Sequence, residues 1–290
     1  MQSGILVINK EKNMTSRDVV NIVCKKLGTK HIGHTGTLDP IATGVLVLGV
    51  NDGCKVIDLL TSVSKVYQAE VIVGLKTDTL DITGTIEEEY NIENLEKEKV
   101  ENILKTFKGK YLQEVPKYSA IHVNGKRLYE YARENKEVEL PKREVEIFDI
   151  KLLDEIKKEK NYYSFSFIVH VSKGTYIRSL IRDIGSKLGY PCIMKNLIRI
   201  KQGNFSLEEA ISIDDIKEDK IVKIVDALQE YEKIIVDDEV AKKVENGSIL
   251  SFDTNSDMVL ILNQENDLLA IYIRYDKDTS KMKPYKVFRR

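Results

Sequence analysis

The stretch Gly33-His34-Thr35-Gly36-Thr37-Leu38-Asp39-Pro40-Ile41-Ala42-Thr43-Gly44, running straight into Val45-Leu46-Val47-Leu48, sets how the rest of the chain is read. Three glycines and a proline within twelve residues mark a loop, because glycine tolerates positive φ and close backbone approach while proline fixes its own φ. Asp39 precedes the proline and is biased to an extended conformation. The apolar run that follows reads as a buried strand entered directly from the loop. A lone carboxylate is thus presented beside a core. Residue type alone is compatible with an ordinary turn aspartate. A phosphate loop is disfavoured, since the stretch lacks the Gly-Lys-Ser/Thr ending with which such a loop reaches phosphates and magnesium.

Upstream, Gly4 to Ile8 reads as a strand and residues 9–13 as a polar turn. Thr15 or Ser16 then caps a helix with Val19, Val20, Val23 and Leu27 on one face, closed by Gly28. Downstream, Lys65 to Gly74 alternates as a strand in which Tyr67, Ala69, Val71 and Val73 share a face. On pattern alone Tyr67 is a core or rim aromatic. A surface helix is expected around Val100, Ile103, Leu104 and Phe107, and antiparallel strands through Val145 to Ile150 and Tyr163 to Val171. A further helix buries Ile177, Leu180, Ile181, Ile184 and Leu188, with Arg178 beside that stripe. By type Arg178 is a solvated arginine, and spacing alone does not pair it with Asp39. The segment Asp214 to Glu232 reads as an acidic helix, and a β-rich unit begins near Ile234. The expected class is α+β, a mixed, mostly antiparallel sheet flanked by helices, with domains at 1–232 and 233–290 and an insertion at about 108–143.

With 42% hydrophobic and 31% charged residues, the 290-residue chain is of the soluble globular kind. Lys+Arg 45 against Asp+Glu 46 gives no overall signature for nucleic acid, so local patches must carry one. Two exist: Lys108 to Arg143 holds nine Lys/Arg against five Glu, and Arg274 to Arg290 holds seven against two Asp. Cys24, Cys54 and Cys192 have no metal-ligand spacing and read as reduced thiols of a cytoplasmic protein. No metal, cofactor or membrane span is expected.

Eleven of the twelve loop positions match Gly-His-Thr-Gly-Thr-Leu-Asp-Pro-x-Ala-Thr-Gly, which resembles the active-site loop of TruB-type tRNA pseudouridine synthases of the stand-alone bacterial branch. Tyr67 with Thr77-Asp78-Thr79-x-Asp81-x-x-Gly84, Gly174-Thr175-Tyr176-Ile177-Arg178, and Asn196-Leu197-Ile198-Arg199 through Phe205 resemble further motifs of that family. Tyr118 to Glu134 resembles its tRNA-clamping insertion, and the chain's end resembles a truncated PUA-type RNA-binding domain. The resemblance implies the pseudouridine synthase fold and isomerisation of uridine-55 in the T-arm loop of tRNA. It implies Asp39 as the catalytic residue, with Arg178 ion-paired to it. Tyr67 would stack on the base, Tyr176 and Leu197 would wall the pocket, and His34 would fill the space left by the flipped nucleotide. A monomer with tRNA as partner and no obligate protein partner is expected. Two alternatives stay open at this point: a guide-RNA-dependent, dyskerin-like synthase, and a non-catalytic tRNA-binding or folding module.

Overall fold

The computed structural model describes residues 2–134, 136–159 and 162–288. The first elements are β1 (Gly4–Lys10), α1 (Ser16–Leu27), β2 (Ile32–His34), β3 (Thr43–Val50) and α2 (Ile57–Thr61). Then follow β4 (Lys65–Val73), β5 (Leu75–Thr77), β6 (Ile86–Glu89), α3 (Lys97–Lys105) and β7 (Gly109–Glu114). A hairpin of β8 (His122–Val123) and β9 (Lys126–Arg127) precedes α4 (Leu128–Arg133), β10 (Lys142–Leu152), β11 (Lys157–Glu159) and β12 (Tyr162–Val171). After α5 (Ile177–Leu188) come β13 (Cys192–Gln202), β14 (Phe205–Ser206) and α6 (Ile224–Ala227). The chain closes with β15 (Glu232–Ile235), α7 (Asp238–Glu245), β16 (Met258–Leu262), β17 (Leu268–Arg274) and β18 (Met282–Val287). No helix among the described residues is long and apolar enough to cross a membrane.

α1 forms where a reciprocal cap starts it. Thr15 Oγ1 accepts from the Asp18 amide at 3.1 Å while the Asp18 carboxylate accepts from the Thr15 amide at 2.8 Å. Its apolar face packs on Leu6, Ile8, Leu46 and Leu48 of β1 and β3. The main sheet runs β1-β3-β13-β4-β12-β10-β7, with β2, β14 and β11 attached to β3, β13 and β12. Every pairing is antiparallel except β3 with β13, which run parallel at Thr43/Ile198 and Gly44/Arg199. The mixed, mostly antiparallel expectation is met. At that parallel junction Gly44 has φ +99°, and a Cβ there would lie 2.3 Å from the Arg199 carbonyl oxygen. Only glycine fits. The loop of Asp39 is therefore anchored where β3 meets β13.

One face of the sheet is covered by α3 and α5. Tyr67, Ala69, Val71 and Val73 of β4 and Phe165, Phe167, Val169 and Val171 of β12 pack there against Ile177, Leu180, Ile181, Ile184 and Leu188. Each Val, Leu, Ile or Phe among them contributes about 1.5–3 kcal/mol on full burial. Between β7 and β10, paired from Gly109/Ile147 to Glu114/Lys142, the chain leaves the sheet as an excursion over residues 115–141.

Two expectations are corrected. Gly33 and His34 do not begin the loop but lie in β2, opposite Gly49 and Leu48 of β3. The acidic helix over Asp214 to Glu232 does not form: the segment holds one turn at Glu218–Lys220 and the short α6, and Glu232 already starts β15. Instead Val222 exchanges both backbone hydrogen bonds with Ile5 at 2.8 Å, and Ile211 bonds to the backbone of Val7 and Asn9. β1 is an edge strand whose open N–H and C=O groups need partners, and that demand outweighs the propensity of an isolated acidic helix.

The last four strands form a second sheet, β15-β16-β17-β18, with β15 parallel to β16. Its Val259, Ile261, Ala270 and Tyr272 pack with Val244 of α7. Its other side joins the first unit: Leu260, Leu262, Ile271 and Phe288 share a core with Ile5, Val7, Val45 and Val47.

Candidate active site

The Asp39 loop is pinned from both ends. The Thr35 amide donates to the Val47 carbonyl at 3.0 Å, the Leu38 amide to Ser16 Oγ at 2.9 Å, and the Asn13 amide to the Pro40 carbonyl at 2.8 Å. Leu38, Ile41 and Ala42 are buried in the main core. Apolar side chains thus hold the loop down and leave the Asp39 carboxylate at its polar rim.

Arg178 arrives from the first turn of α5 and grips that carboxylate with both arms. Nε donates to Oδ2 and Nη2 to Oδ1, each at 2.9 Å. Its other contacts are main-chain: Nη1 to the Thr79 carbonyl at 3.0 Å and Nη2 to the Tyr118 carbonyl at 2.9 Å. The arginine side chain is 7% exposed and that of Asp39 is 32% exposed. The pair is therefore desolvated on the arginine side and open on the carboxylate side. A fork of this kind fixes orientation as well as charge, and removing one partner of a buried pair costs about 3–5 kcal/mol. The two residues that spacing could not join are joined here.

Tyr176 opens α5 with extended backbone. Burial pushes its phenol up, opposed by Arg143 and Arg178 and reinforced by Asp39, so the ring lies within the field of the pair. The Arg143 guanidinium sits over that ring, 5.7 Å from its centroid. Tyr67 and Leu197 belong to the same buried cluster as Leu38, Ile41 and Ala42. Tyr67 stands opposite Val169 of β12 and Arg199 of β13. His34 stands apart: among the described residues no hydrogen bond or ion pair joins it to Asp39. Its Nδ1 is buried without a hydrogen-bond partner, and burial, with Arg17 and Arg199 near, holds its pKa below the usual 6.5. The imidazole is neutral at pH 7.

Three residues to which the sequence reading gave no role support this site. Lys10, wholly buried at the end of β1, donates to the carbonyls of Glu11 at 2.8 Å, Met14 at 2.7 Å and Pro40 at 3.4 Å. Burial lowers its pKa to about 8 against the pull of Asp39. Arg199, 1% exposed, donates from Nε to the Val45 carbonyl at 2.7 Å and from Nη2 to the Gly36 carbonyl at 3.1 Å. Gln113, also buried, bonds to the backbone of Tyr176. The available signal was alternation, since Arg199 falls on the same inward face of its strand as Leu197, where a charge is rare unless partnered.

A cleft of about 900 Å³ lies beside the site, between residues 76–80, the excursion and Arg182. It does not include Asp39, although Thr79 and Tyr118, whose carbonyls hold Arg178, line it. In the excursion, Arg133 stacks on Tyr129 at 5.3 Å and Lys126 on Tyr131 at 5.4 Å. The basic end of the chain is less available than its composition suggests. Lys281, Lys283 and Lys286 pair with Asp278, Asp276 and Asp58, and Arg274 bonds to the carbonyls of Thr254 and Ser256. Arg289 and Arg290 lie outside the described residues.

The model of the TruB family pseudouridylate synthase N-terminal domain matches residues 24–177. The tRNA pseudouridine synthase B of Bacillus subtilis (strain 168) is 43% identical over 302 residues, covering 99% of this chain and 98% of the relative. That of Staphylococcus saprophyticus is 38% identical over 304 residues, covering 99% and 100%. Among solved structures, an H/ACA RNP bound to a substrate RNA containing 2'-deoxyuridine superposes with a TM-score of 0.71 at 22% identity, covering 99% of this chain and 85% of that one. A Cbf5-Nop10-Gar1 complex gives 0.70 at 24%, covering 99% and 84%. These two likenesses concern the fold. Since relatives align along almost the whole length and the family match spans the loop of Asp39, the chain belongs to the TruB family of pseudouridylate synthases.

Proposed function

We propose that this enzyme isomerises uridine to pseudouridine in tRNA, at position 55 of the T-arm loop, with Asp39 as the catalytic carboxylate. The observation that carries the reading is the Asp39–Arg178 pair, in which both carboxylate oxygens are fixed while one side of the group stays open. The C1'–N1 bond breaks, uracil turns, and a C1'–C5 bond forms; C5 loses its hydrogen as a proton and N1 ends protonated. No electrons leave the nucleoside. Asp39 serves either by adding to the nucleoside or by removing a ribose proton, and both routes need a carboxylate held at a fixed angle.

The base must leave its stack to reach Asp39, at a cost of a few kcal/mol, roughly one or two stacking steps. Tyr67 supplies the aromatic face for it, worth ~1–3 kcal/mol. Tyr176 and Leu197 wall the pocket, and His34 takes the place of the extruded nucleotide, a role suited to a neutral ring. The excursion over 115–141 clamps the T-arm, and residues 233–290 act as a PUA-like RNA-binding unit. The enzyme works as a monomer in the cytoplasm without a protein partner. The names of the full-length relatives support tRNA as substrate.

The test is tritium release from unmodified tRNA bearing 5-tritiated uridine, with wild type and Asp39→Asn compared. Release by wild type at one T-loop site, with Asp39→Asn folded, tRNA-bound and inert, is expected. Wild-type inertness on bare tRNA would sink the stand-alone reading and favour guide dependence or a binding role. Appreciable turnover by Asp39→Asn would remove Asp39 from the chemistry.

A further inference from the structure

Gln113 is wholly buried on β7, the edge strand from which the chain departs into the excursion. Its amide brackets the backbone of a single residue of the site. Oε1 accepts from the Tyr176 amide at 2.8 Å, and Nε2 donates to the Tyr176 carbonyl at 3.2 Å. Nε2 also donates to the Tyr111 phenol oxygen at 2.6 Å. Tyr111 in turn lies within electrostatic reach of Asp183, so the network comes up to α5 at its opening residue and again two turns later.

The position it holds is unusual for a helix start. Opening residues are commonly Ser, Thr, Asp or Asn, whose side chains fold back to bond the first turn. Tyr176 makes no such bond. Its ring lies instead under the Arg143 guanidinium and within the field of Arg178 and Asp39, and its backbone has to be tethered from outside. We propose that Gln113 is a positioning residue for the reaction. By holding residue 176 at both its N–H and its C=O, and so the two peptide units that flank its Cα, it sets the Tyr176 ring and, two residues on, the root of the arginine that grips Asp39. This inference rests on the proposed role of the Asp39 site. The amide is suited to the task because it accepts and donates at once; a glutamate donates only when protonated, and a leucine does neither.

The experiment compares wild type, Gln113→Leu and Gln113→Glu in tritium-release kinetics, thermal unfolding and amide hydrogen exchange over residues 176–180. For Gln113→Leu the expected result is a kcat lower by about 10- to 100-fold, the order that small misplacements cost. KM for tRNA stays within about twofold, since no RNA-facing surface is altered. Exchange at Tyr176 and the residues after it quickens. Gln113→Glu is expected to approach wild-type rate at acidic pH and to lose it as pH rises, because a buried carboxyl titrates high and reproduces the amide's donor only while protonated. A Gln113→Leu enzyme with wild-type kcat, a rate loss that merely follows unfolding, or a Gln113→Glu profile superimposable on wild type overturns the proposal. Should wild type itself fail to act on tRNA, the function proposed above falls, and exchange at Tyr176 still decides: unchanged protection in Gln113→Leu rejects the tether.

Discussion

A lysine that is out of water and short of counter-charge makes the residue scale measurable. Lys65 lies buried at the head of β4, donating at 2.8 Å to the carbonyls of Thr61 and Val63. Burial, with Arg199 and Lys173 nearby, lowers its pKa from 10.5 to about 8. Between those values the unfolded chain still holds the proton that the folded chain has released. Stability conferred through this residue therefore rises with pH across that window, by at most ~1.4 kcal/mol per unit. Urea titrations at pH 8, 9 and 10 should show wild type gaining relative to Lys65→Met over that range; parallel curves would mean that Lys65 titrates as if solvated. Sequence read the residues of the site unevenly. Asp39 and Arg178 were legible because their loop and helix start carry distinctive neighbours. The roles of Lys10, Arg199 and Gln113 were not, because each is defined by carbonyls or amides that distant segments bring to it.

At the scale of elements, periodicity was a dependable guide wherever one side of an element meets the core. β4, β12 and α5 bury the faces that alternation and the helical stripe assigned to them. It failed over Asp214 to Glu232, where the deciding factor was the unpaired backbone of β1 rather than any local preference. No local pattern reports that need. The junction of β3 with β13 is equally non-local, and Gly44→Ala probes it. The methyl would be placed against the Arg199 carbonyl at 2.3 Å on a backbone of φ +99°. The φ alone costs ~1–3 kcal/mol, and the clash adds to it. Chemical unfolding should register a loss at least that large, with turnover reduced as Asp39 shifts. A loss under about 1 kcal/mol with full activity would show that the two strands can separate freely.

The whole molecule behaves as a single body because its two sheets share apolar residues. A chain ending at Tyr231 loses Leu260, Leu262, Ile271 and Phe288 from the cluster that also holds Ile5, Val7, Val45 and Val47. At about 1.5–3 kcal/mol per buried side chain, the deficit is comparable with the 5–15 kcal/mol that holds a typical domain together. The 1–231 fragment is expected to lack a cooperative melt by circular dichroism. A sharp transition within a few degrees of the full chain would show the second sheet to be dispensable for folding.

The parallel pairing of Thr43 and Gly44 with Ile198 and Arg199 also governs the order of events during synthesis. A nascent chain that has emerged as far as α5 already carries Asp39 and Arg178, yet β13 is still inside the ribosome and Gly44 has only Lys10 of β1 to pair with. Contacts so distant along the chain close late, since the loop between them must be gathered first. The loop of Asp39 thus takes its final seat only after β13 has cleared the ribosome, and a polypeptide that stops at α5 carries Asp39 and Arg178 on an incompletely anchored loop.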